Sequence, residues 1–475
     1  MSAGPPLAAE MWDSLPPEAR ALILVLRAEA AELRAKVRAL EEQVQELQER
    51  LGQNSNNSSR PPSTDPPTVK RRPPRPASDR PGGGQPGHER QQRPLLAPDH
   101  TEVLKPAQCR RCGHALTGDD PQPLRHQVLE LPEIRPEVTE YQLHRLRCPR
   151  CGLSTCAALP AGVPRGGQGP RLQAALALMT GAYRMSKRMA QTLCVDVLGV
   201  PICAGQVCAC EAEVTAATEP VMRELREYVR GQPANVDETG WWQKQERAWL
   251  WAVVTQAVTL FTIALSRAAT VAQGLIDPSA GQVITTDRYK GYSWLPLRQR
   301  QLCWAHLIRD FQAMVDRANA GRVIGEELLC CAEDLFTWWY RVRDGTMARS
   351  TFQRYIGELR PWVRSQLEAG SACACAKTAG TCREILAVEP AMWTFVRIEG
   401  IEPTNNTAER ALRHAVLWRK TSHGTESEAG SRFVENILSA VATCRQQGRS
   451  VLEFLTGCCQ AGLQGGAPPS LLPRT

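Results

Sequence analysis

The chain has 475 residues, 18 cysteines, a formal net charge of +8 and a sequence pI near 8.7. Its length exceeds what one hydrophobic core usually organises and predicts several domains, while its charge suits a polyanionic partner, with ordinary surface charge as the alternative. The cysteines do not resemble the disulfide framework of a small secreted domain, and no apolar run approaches the ~20 residues of a membrane span, so we expect a protein of the reducing cytoplasm.

The first element is a heptad repeat within residues 1–51. Apolar residues recur every seventh position from Ile23 and from Leu26, and Glu, Gln and Arg occupy most positions between them. This pattern predicts a coiled-coil helix that joins copies of the chain, ending at Gly52. The alternative is an amphipathic helix that packs on its own protein.

Residues 52–100 have the composition of a disordered linker. Asn and Ser come first, followed by a basic Pro-rich run and a Pro/Gly-rich run. Such a segment cannot bury enough apolar surface to fold alone. Its Lys and Arg side chains could follow a phosphate backbone, or the segment could be a simple tether.

Residues 101–160 carry two Cys-x-x-Cys pairs, each followed directly by Gly. This pattern predicts a zinc ribbon with four thiolate ligands and a closed, structural metal site. The four predicted zinc ligands are Cys109, Cys112, Cys148 and Cys151. We expect strands at residues 127–131 and 138–147.

Residues 165–230 are predicted to be helical. A short Gly-containing turn separates helices expected at 186–198 and 206–214, which favours a helix-turn-helix-like DNA-binding domain, with a generic helical bundle as the alternative. Arg184, Lys187 and Arg188 would give it a basic face for the DNA backbone.

Residues 231–302 form the stretch around which the chain is organised. Three runs rich in Trp, Val and Thr predict an antiparallel meander, followed by a helix at 268–276 and a buried strand at 282–287. Asp237 lies in the first strand and Asp287 ends the fourth. Carboxylates in apolar strands need compensation, so the pair suggests a bound divalent cation. Strand alternation should turn Glu238 to the opposite sheet face, where we expect a structural role.

Residues 303–402 are predicted to be mostly helical, residues 403–460 return to the sheet, and 461–475 form a tail. A helix should begin at Asn405 or Asn406, with Glu409 in its first turn. A capping role for Glu409 is the simple alternative, but a capping residue does not need the basic neighbourhood that follows. The predicted DNA contacts in that neighbourhood are Arg410, Arg413, Arg419 and Lys420.

These motifs together resemble the IS66-family transposases. The resemblance runs from the heptad helix through the paired cysteines to Val-Asp-Glu-Thr, Thr-Asp-Arg-Tyr, Cys-Trp-Ala-His and Pro-Thr-Asn-Asn-x-Ala-Glu-Arg. It implies a multidomain α+β protein with an RNase H-like α/β catalytic domain, interrupted by a helical insertion. It also implies a catalytic DDE triad of Asp237, Asp287 and Glu409.

The implied activity is a DNA transposase that cleaves insertion-sequence ends and transfers strands into target DNA. Mg²⁺ or Mn²⁺ would be held by the triad in a two-metal mechanism, and Zn²⁺ by the ribbon. The expected setting is a bacterial, nucleoid-associated homo-oligomer, with possible accessory proteins of the same element. An inert DNA-binding regulator, a nuclease that does not join strands, and, more remotely, a metal-free carboxylate-pair hydrolase are the competing interpretations.

Overall fold

The computed structural model describes residues 11–12, 14–58, 65, 94–317 and 319–473. Most of the predicted linker, including its basic Pro-rich run, lies outside the described residues. No helix in the described part of the chain has the length and apolar character needed to cross a membrane.

The heptad segment is one continuous helix, α1 (Pro17–Leu51), which ends at Gly52 as expected. Most of its apolar heptad side chains are exposed, including Leu33 at 61% and Leu40 at 59%. Near its C-terminal end, Glu49 forms an ion pair with Lys377, and the following Asn57 donates a hydrogen bond of 2.7 Å to Asp316. The helix is therefore attached at one end and leaves an unburied apolar stripe along its length.

The cysteine-rich region contains a two-stranded antiparallel hairpin, β1 (Arg145–Arg147) and β2 (Ser154–Cys156). The predicted strand at 127–131 is wrong, and only the last three residues of the one predicted at 138–147 are in a strand. Strand preference depends on packing against neighbours, and the side chains of this region are almost all exposed.

The predicted helix, turn and helix are present, but the first helix is slightly shorter and the second much longer than the pattern suggested. Helix α2 (Pro170–Ala177) continues into a π turn. Helix α3 (Lys187–Asp196) is capped by Ser186, whose side chain accepts a hydrogen bond from the Met189 N–H. Helix α4 (Ala204–Arg230) extends far beyond the predicted 206–214. Its buried apolar side pairs with α2 and with the C-terminal helices.

The central sheet has five strands in the order β5-β4-β3-β6-β7. They are β3 (Ala234–Gln243), β4 (Glu246–Val254), β5 (Thr259–Ala264), β6 (Ile284–Thr286) and β7 (Arg300–Leu302). The first three form the predicted antiparallel meander, and helix α5 (Ala269–Leu275) leads to β6, which is parallel to β3. Strand β7, parallel to β6, is not predicted by the sequence pattern.

A helical unit follows β7 along the chain, as expected. It consists of α6 (Trp304–Asp316), α7 (Arg322–Arg343), α8 (Arg349–Ser371), α9 (Ala376–Leu386) and the short α10 (Thr394–Arg397). Its core is separate from the main sheet core and is rich in aromatic side chains, among them Trp304, Trp339, Phe352 and Phe395.

The chain then returns to the sheet with α11 (Asn406–Ser422), α12 (Glu428–Gln446) and α13 (Val451–Gln464). Helix α11 packs Leu412 and Ala415 against Trp241 of β3. Helix α12 covers the β5 edge, where Ser439 accepts a 2.9 Å hydrogen bond from the Phe261 N–H. This cover satisfies backbone donors that an open edge strand would leave free. Beyond α13, Leu471 is fully buried.

Candidate active site

Two of the three predicted carboxylates come from neighbouring parallel strands. Strand β3 pairs with β6 so that Asn235 lies beside Thr285, and Asp237 and Asp287 each follow two residues later along the chain. The two carboxylates are close enough for Asp287 to raise the pKa of Asp237. Asp287 is fixed at the end of β6 because its carboxylate accepts a 2.9 Å hydrogen bond from the Tyr289 N–H.

Asn405 connects the start of α11 to the strand that carries Asp237. Its fully buried side-chain amide donates a 2.8 Å hydrogen bond to the Val236 carbonyl and accepts a 3.1 Å bond from Asn235. The Asn405 N–H donates to the Cys303 sulfur at 3.1 Å, which adds α6 to the same junction. Asn405 is thus the residue at the helix N-cap position, but its side chain serves tertiary contacts instead of capping.

Glu409 lies in the first turn of α11, as predicted, facing α6. One carboxylate oxygen, Oε1, lies 3.7 Å from His306 Nδ1, and the other lies 3.7 Å from Arg309 Nη2. Both distances are longer than hydrogen bonds. Glu409 Oε1 and His306 Nδ1 are buried, and neither has a hydrogen-bond partner among the described residues. The capping-box interpretation therefore does not describe this Glu.

The electrostatics of Asp237 reflect a concentration of negative charge. Burial raises the pKa of Asp237 well above its usual range, and Glu238, Asp287 and Glu409 raise it further in that order. All three other carboxylates are therefore close enough to repel its charge. Uncompensated buried carboxylates of this kind fit a divalent cation with oxygen ligands.

The three carboxylates do not form one tight cluster in this structure. Within the described ranges, one group of three metal-binding side chains has its ligand atoms within 4.8 Å of one another, and it consists of Cys303, His306 and Glu409. The ligand atoms that hold two ions about 4 Å apart lie farther from one another than the ligand atoms of a single ion. The chemistry of Asp237, Asp287 and Glu409 fits such a set, with Glu409 supplied by the first turn of α11.

Glu238 makes contacts of the structural kind that was predicted for it. Its buried carboxylate pairs with Arg267 at 2.6 Å and accepts a 2.5 Å hydrogen bond from the Tyr292 hydroxyl. The Arg267 guanidinium also lies 3.7 Å from the centroid of the Tyr289 ring. These contacts pin the loop after β6, which holds Asp287, against the back of β3.

The basic residues of α11 divide into two groups. Arg410, Arg413 and Lys420 are exposed. Arg419 is different, since its guanidinium donates to the Gly240 carbonyl and, at 3.3 Å, to the Thr239 hydroxyl. Arg419 therefore ties α11 to β3 instead of presenting its whole charge to a ligand.

The predicted basic face near α3 adjoins α11. Burial lowers the pKa of His414, which lies on α11, and the nearby cations Arg445 and Arg184 lower it further. Arg184 is therefore close enough to act electrostatically on α11. Arg188 is exposed, whereas Lys187 forms an ion pair with Glu211 of α4. Arg184 and Arg445 thus lie near His414 of α11.

The two Cys-x-x-Cys pairs form matching knuckles. In each pair, the glycine that follows the second cysteine closes a turn. The Gly113 N–H donates to the Cys109 carbonyl and the Gly152 N–H donates to the Cys148 carbonyl, both at 2.9 Å. Hydrogen bonds from the backbone of Arg111 and Cys112 lower the pKa of Cys109, and equivalent bonds lower that of Cys148. The two pairs offer the sulfur ligands that tetrahedral zinc requires, but among the described residues the four sulfurs are not brought within 4.8 Å of one another.

The sequence gives Cys303 and His306 no site role and indicates only a helix cap for Asn405. The Cys-Trp-Ala-His and Pro-Thr-Asn-Asn motifs contain all three, so their signal was present. Their roles depend on Glu409 and Val236, which are distant along the chain.

Comparison with known protein families agrees with these features. Residues 168–432 match the model described as Transposase IS66 family, and residues 106–152 match the zinc-finger binding domain of transposase IS66. Residues 5–94 match a family of unknown function, DUF6444.

Among curated proteins, the chain is similar to the Uncharacterized protein y4qI of Sinorhizobium fredii (strain NBRC 101917 / NGR234). The two are 27% identical over 168 residues, which is 32% of this chain and 29% of the relative. The chain therefore matches less than a third of the length of that relative.

Proposed function

This chain belongs to the IS66 family of transposases, and we propose that it cleaves the DNA ends of an insertion sequence and transfers them into target DNA. The observation that supports this proposal is the electrostatics of Asp237, whose pKa is raised by burial and by Glu238, Asp287 and Glu409. The transposase role follows from the family, and the reaction steps are our inference.

The proposed catalytic domain is RNase H-like. Its support is the strand order β5-β4-β3-β6-β7, in which the meander strand β3 is central and the later strands are parallel to it. In such a fold Asp237 and Asp287 would be adjacent, and the helical unit of residues 303–402 would be an insertion before the helix that carries Glu409.

The three carboxylates would hold two Mg²⁺ or Mn²⁺ ions. Asp237 would contact both, Asp287 one and Glu409 the other. Such ions, when bound, neutralise the scissile phosphate, activate the attacking oxygen and stabilise the leaving oxygen. Asn405 and Arg419 would keep α11 against β3 so that Glu409 stays oriented toward the aspartates.

The exposed cations would bind the DNA backbone. Arg410, Arg413 and Lys420 lie on α11, which carries Glu409 in its first turn, so phosphates bound there would pass close to that carboxylate. Arg184 and Arg188 would extend this contact toward the helix-turn-helix-like region. Phosphate contacts of this type fix position without reading sequence and weaken as salt rises.

The remaining regions would assemble the complex. The family match supports zinc binding by the ribbon at residues 101–160, with Cys109, Cys112, Cys148 and Cys151 as the proposed ligands. The exposed apolar stripe of α1 would pair with another copy of the chain, because an unburied stripe of this length is costly in water. Accessory proteins of the same element are possible further partners.

The direct test combines cleavage and joining. Purified protein, Mg²⁺ and labelled duplexes from the DNA flanking the coding sequence would be incubated with a plasmid target. We expect cut ends and plasmid-joined label, both lost in Asp237→Asn, Asp287→Asn and Glu409→Gln, each of which should still bind the duplex.

The outcome also separates the competing functions. Cutting without joined product would favour a nuclease. DNA binding without cutting in wild type would favour an inert regulator, and full activity in any of the three variants would remove that residue from the triad.

A further inference from the structure

A second, chemically different set of ligands adjoins the proposed Mg²⁺ carboxylates. Cys303 immediately precedes α6, His306 lies in the first turn of that helix, and Glu409 faces both from α11. The ligand atoms of these three residues lie within 4.8 Å of one another. They are a sulfur, an imidazole nitrogen and a carboxylate oxygen, whereas the proposed Mg²⁺ set has oxygen alone.

The polar atoms of this cluster are not satisfied by the protein. His306 Nδ1 and Glu409 Oε1 are buried and have no hydrogen-bond partner in the described ranges. Buried polar atoms left without a partner destabilise the fold, so a ligand that satisfies both atoms is favoured. The Cys303 sulfur, only 1% exposed as a residue, accepts one hydrogen bond from the Asn405 N–H and keeps further lone pairs.

We propose that Cys303, His306 and Glu409 form a binding site for a borderline transition-metal ion such as Zn²⁺. Tetrahedral Zn²⁺ with bonds of about 2.0–2.3 Å holds its ligand atoms roughly 3.3–3.7 Å apart. The 3.7 Å between His306 Nδ1 and Glu409 Oε1 is a few tenths of an ångström longer than a nitrogen–oxygen pair on such an ion, about 3.3–3.4 Å, so small side-chain adjustments close the site. A fourth position is left for water or substrate.

The charges of the site also match such an ion. Zn²⁺ binding displaces the Cys303 thiol proton to solvent, and the resulting thiolate together with the Glu409 carboxylate balances the two positive charges. The neutral His306 ring adds no charge. Arg309 faces the other oxygen of Glu409, Oε2, and so does not occupy the ligand position. Mg²⁺ disfavours sulfur ligands, so the site discriminates against it.

Occupation of this site has a consequence for catalysis, which rests on the proposed function. Glu409 belongs to both ligand sets, and its Oε1 cannot complete a Zn²⁺ site with Cys303 and His306 while serving a Mg²⁺ ion shared with Asp237. Zn²⁺ would therefore withdraw Glu409 from the catalytic set and inhibit DNA cleavage in competition with Mg²⁺.

The site is tested first by metal binding, independent of activity. Full-length protein whose ribbon is already filled with zinc is titrated with Co²⁺, and the thiolate-to-cobalt charge-transfer absorption is recorded. We expect one additional equivalent, which Cys303→Ala abolishes and His306→Gln weakens at least about tenfold. Cys194→Ala, which alters a buried cysteine in a different core cluster, should bind as wild type does.

Absence of the additional equivalent in wild type, or its persistence in Cys303→Ala, would overturn the proposal. If Cys303→Ala does not fold, His306→Gln carries the test, because its ring is partly exposed and its replacement leaves the core intact.

The inhibition arm adds Zn²⁺ to Mg²⁺-dependent cleavage reactions. We expect inhibition that excess Mg²⁺ relieves, with at least about tenfold more Zn²⁺ needed in Cys303→Ala. Equal inhibition of wild type and Cys303→Ala would contradict the shared role of Glu409. A wild-type protein that never cleaves DNA would refute the proposed function while the Co²⁺ result still decides the metal site.

Discussion

Replacing Asn405 with Ala perturbs the junction between α11 and β3 without touching a proposed metal ligand. The substitution removes the 2.8 Å bond to the Val236 carbonyl and the 3.1 Å bond from the Asn235 amide. The Asn235 amide also lies 3.3 Å from the Thr404 carbonyl, so one group keeps a partner. The carbonyl of Val236, a fully buried residue, loses the hydrogen bond that Asn405 donates to it.

The expected loss of stability follows from this one hydrogen bond, which has no replacement. One buried polar group left without this partner costs roughly 1–3 kcal/mol, so we expect the free energy of unfolding to fall by about 2 kcal/mol. If a similar amount is lost from the positioning of Glu409 in the transition state, cleavage slows about 30-fold, since 1.36 kcal/mol corresponds to a factor of ten. The Mg²⁺ concentration for half-maximal cleavage should rise as well.

The assay compares Asn405→Ala with its neighbour Asn406→Ala, which makes the same chemical change at an exposed position. Unfolding is followed by urea denaturation, and cleavage is measured over a Mg²⁺ titration at a temperature where both variants are folded. Asn406→Ala should match wild type in each measurement. Equal behaviour of the two variants would refute the inference that Asn405 positions Glu409.

Three further predictions concern separate regions. Cys109→Ser combined with Cys148→Ser should lose the ribbon zinc measured by mass spectrometry, whereas Cys156→Ser should keep it; retention in the double variant would contradict the ligand assignment. Deleting residues 1–51 should lower the mass in solution by light scattering, and an unchanged mass would make α1 a packing helix. Because burial and neighbouring carboxylates raise the pKa of Asp237, metal-free protein should lose stability as pH rises from about 4 through that higher folded pKa. Asp237→Asn should flatten this dependence of stability on pH and raise the melting temperature at neutral pH. A lower melting temperature in the variant would contradict the inferred repulsion between Asp237 and the neighbouring carboxylates.

The sheet could be predicted where the sequence carries a local signal. Strands β3 to β5 alternate Trp, Val and Thr with turns between them, so their positions were evident. Strand β7 was not, because Arg300 and Gln301 look like surface residues. In the fold, Arg300 donates to the Thr286 hydroxyl and Gln301 to the Met392 carbonyl, and these distant partners let both be buried.

The candidate site shows the same division between local and distant signals. Its carboxylates were found because charged residues in strands and at a helix start are unusual in sequence. The role of Asn405 was not found, since the sequence suggested a helix cap and the Val236 partner is supplied by tertiary structure. The grouping of Cys303 with Glu409 likewise needed two elements separated by the whole helical unit.

The central claim, that Asp237, Asp287 and Glu409 share a pair of divalent ions, is tested most directly by counting those ions. Wild-type protein bound to end DNA is titrated with Mn²⁺ and followed by electron paramagnetic resonance. We predict two magnetically coupled Mn²⁺ ions per active site, reduced to one or none in Asp237→Asn. An unchanged coupled pair in Asp237→Asn, or no DNA-dependent Mn²⁺ binding in wild type, would contradict this account.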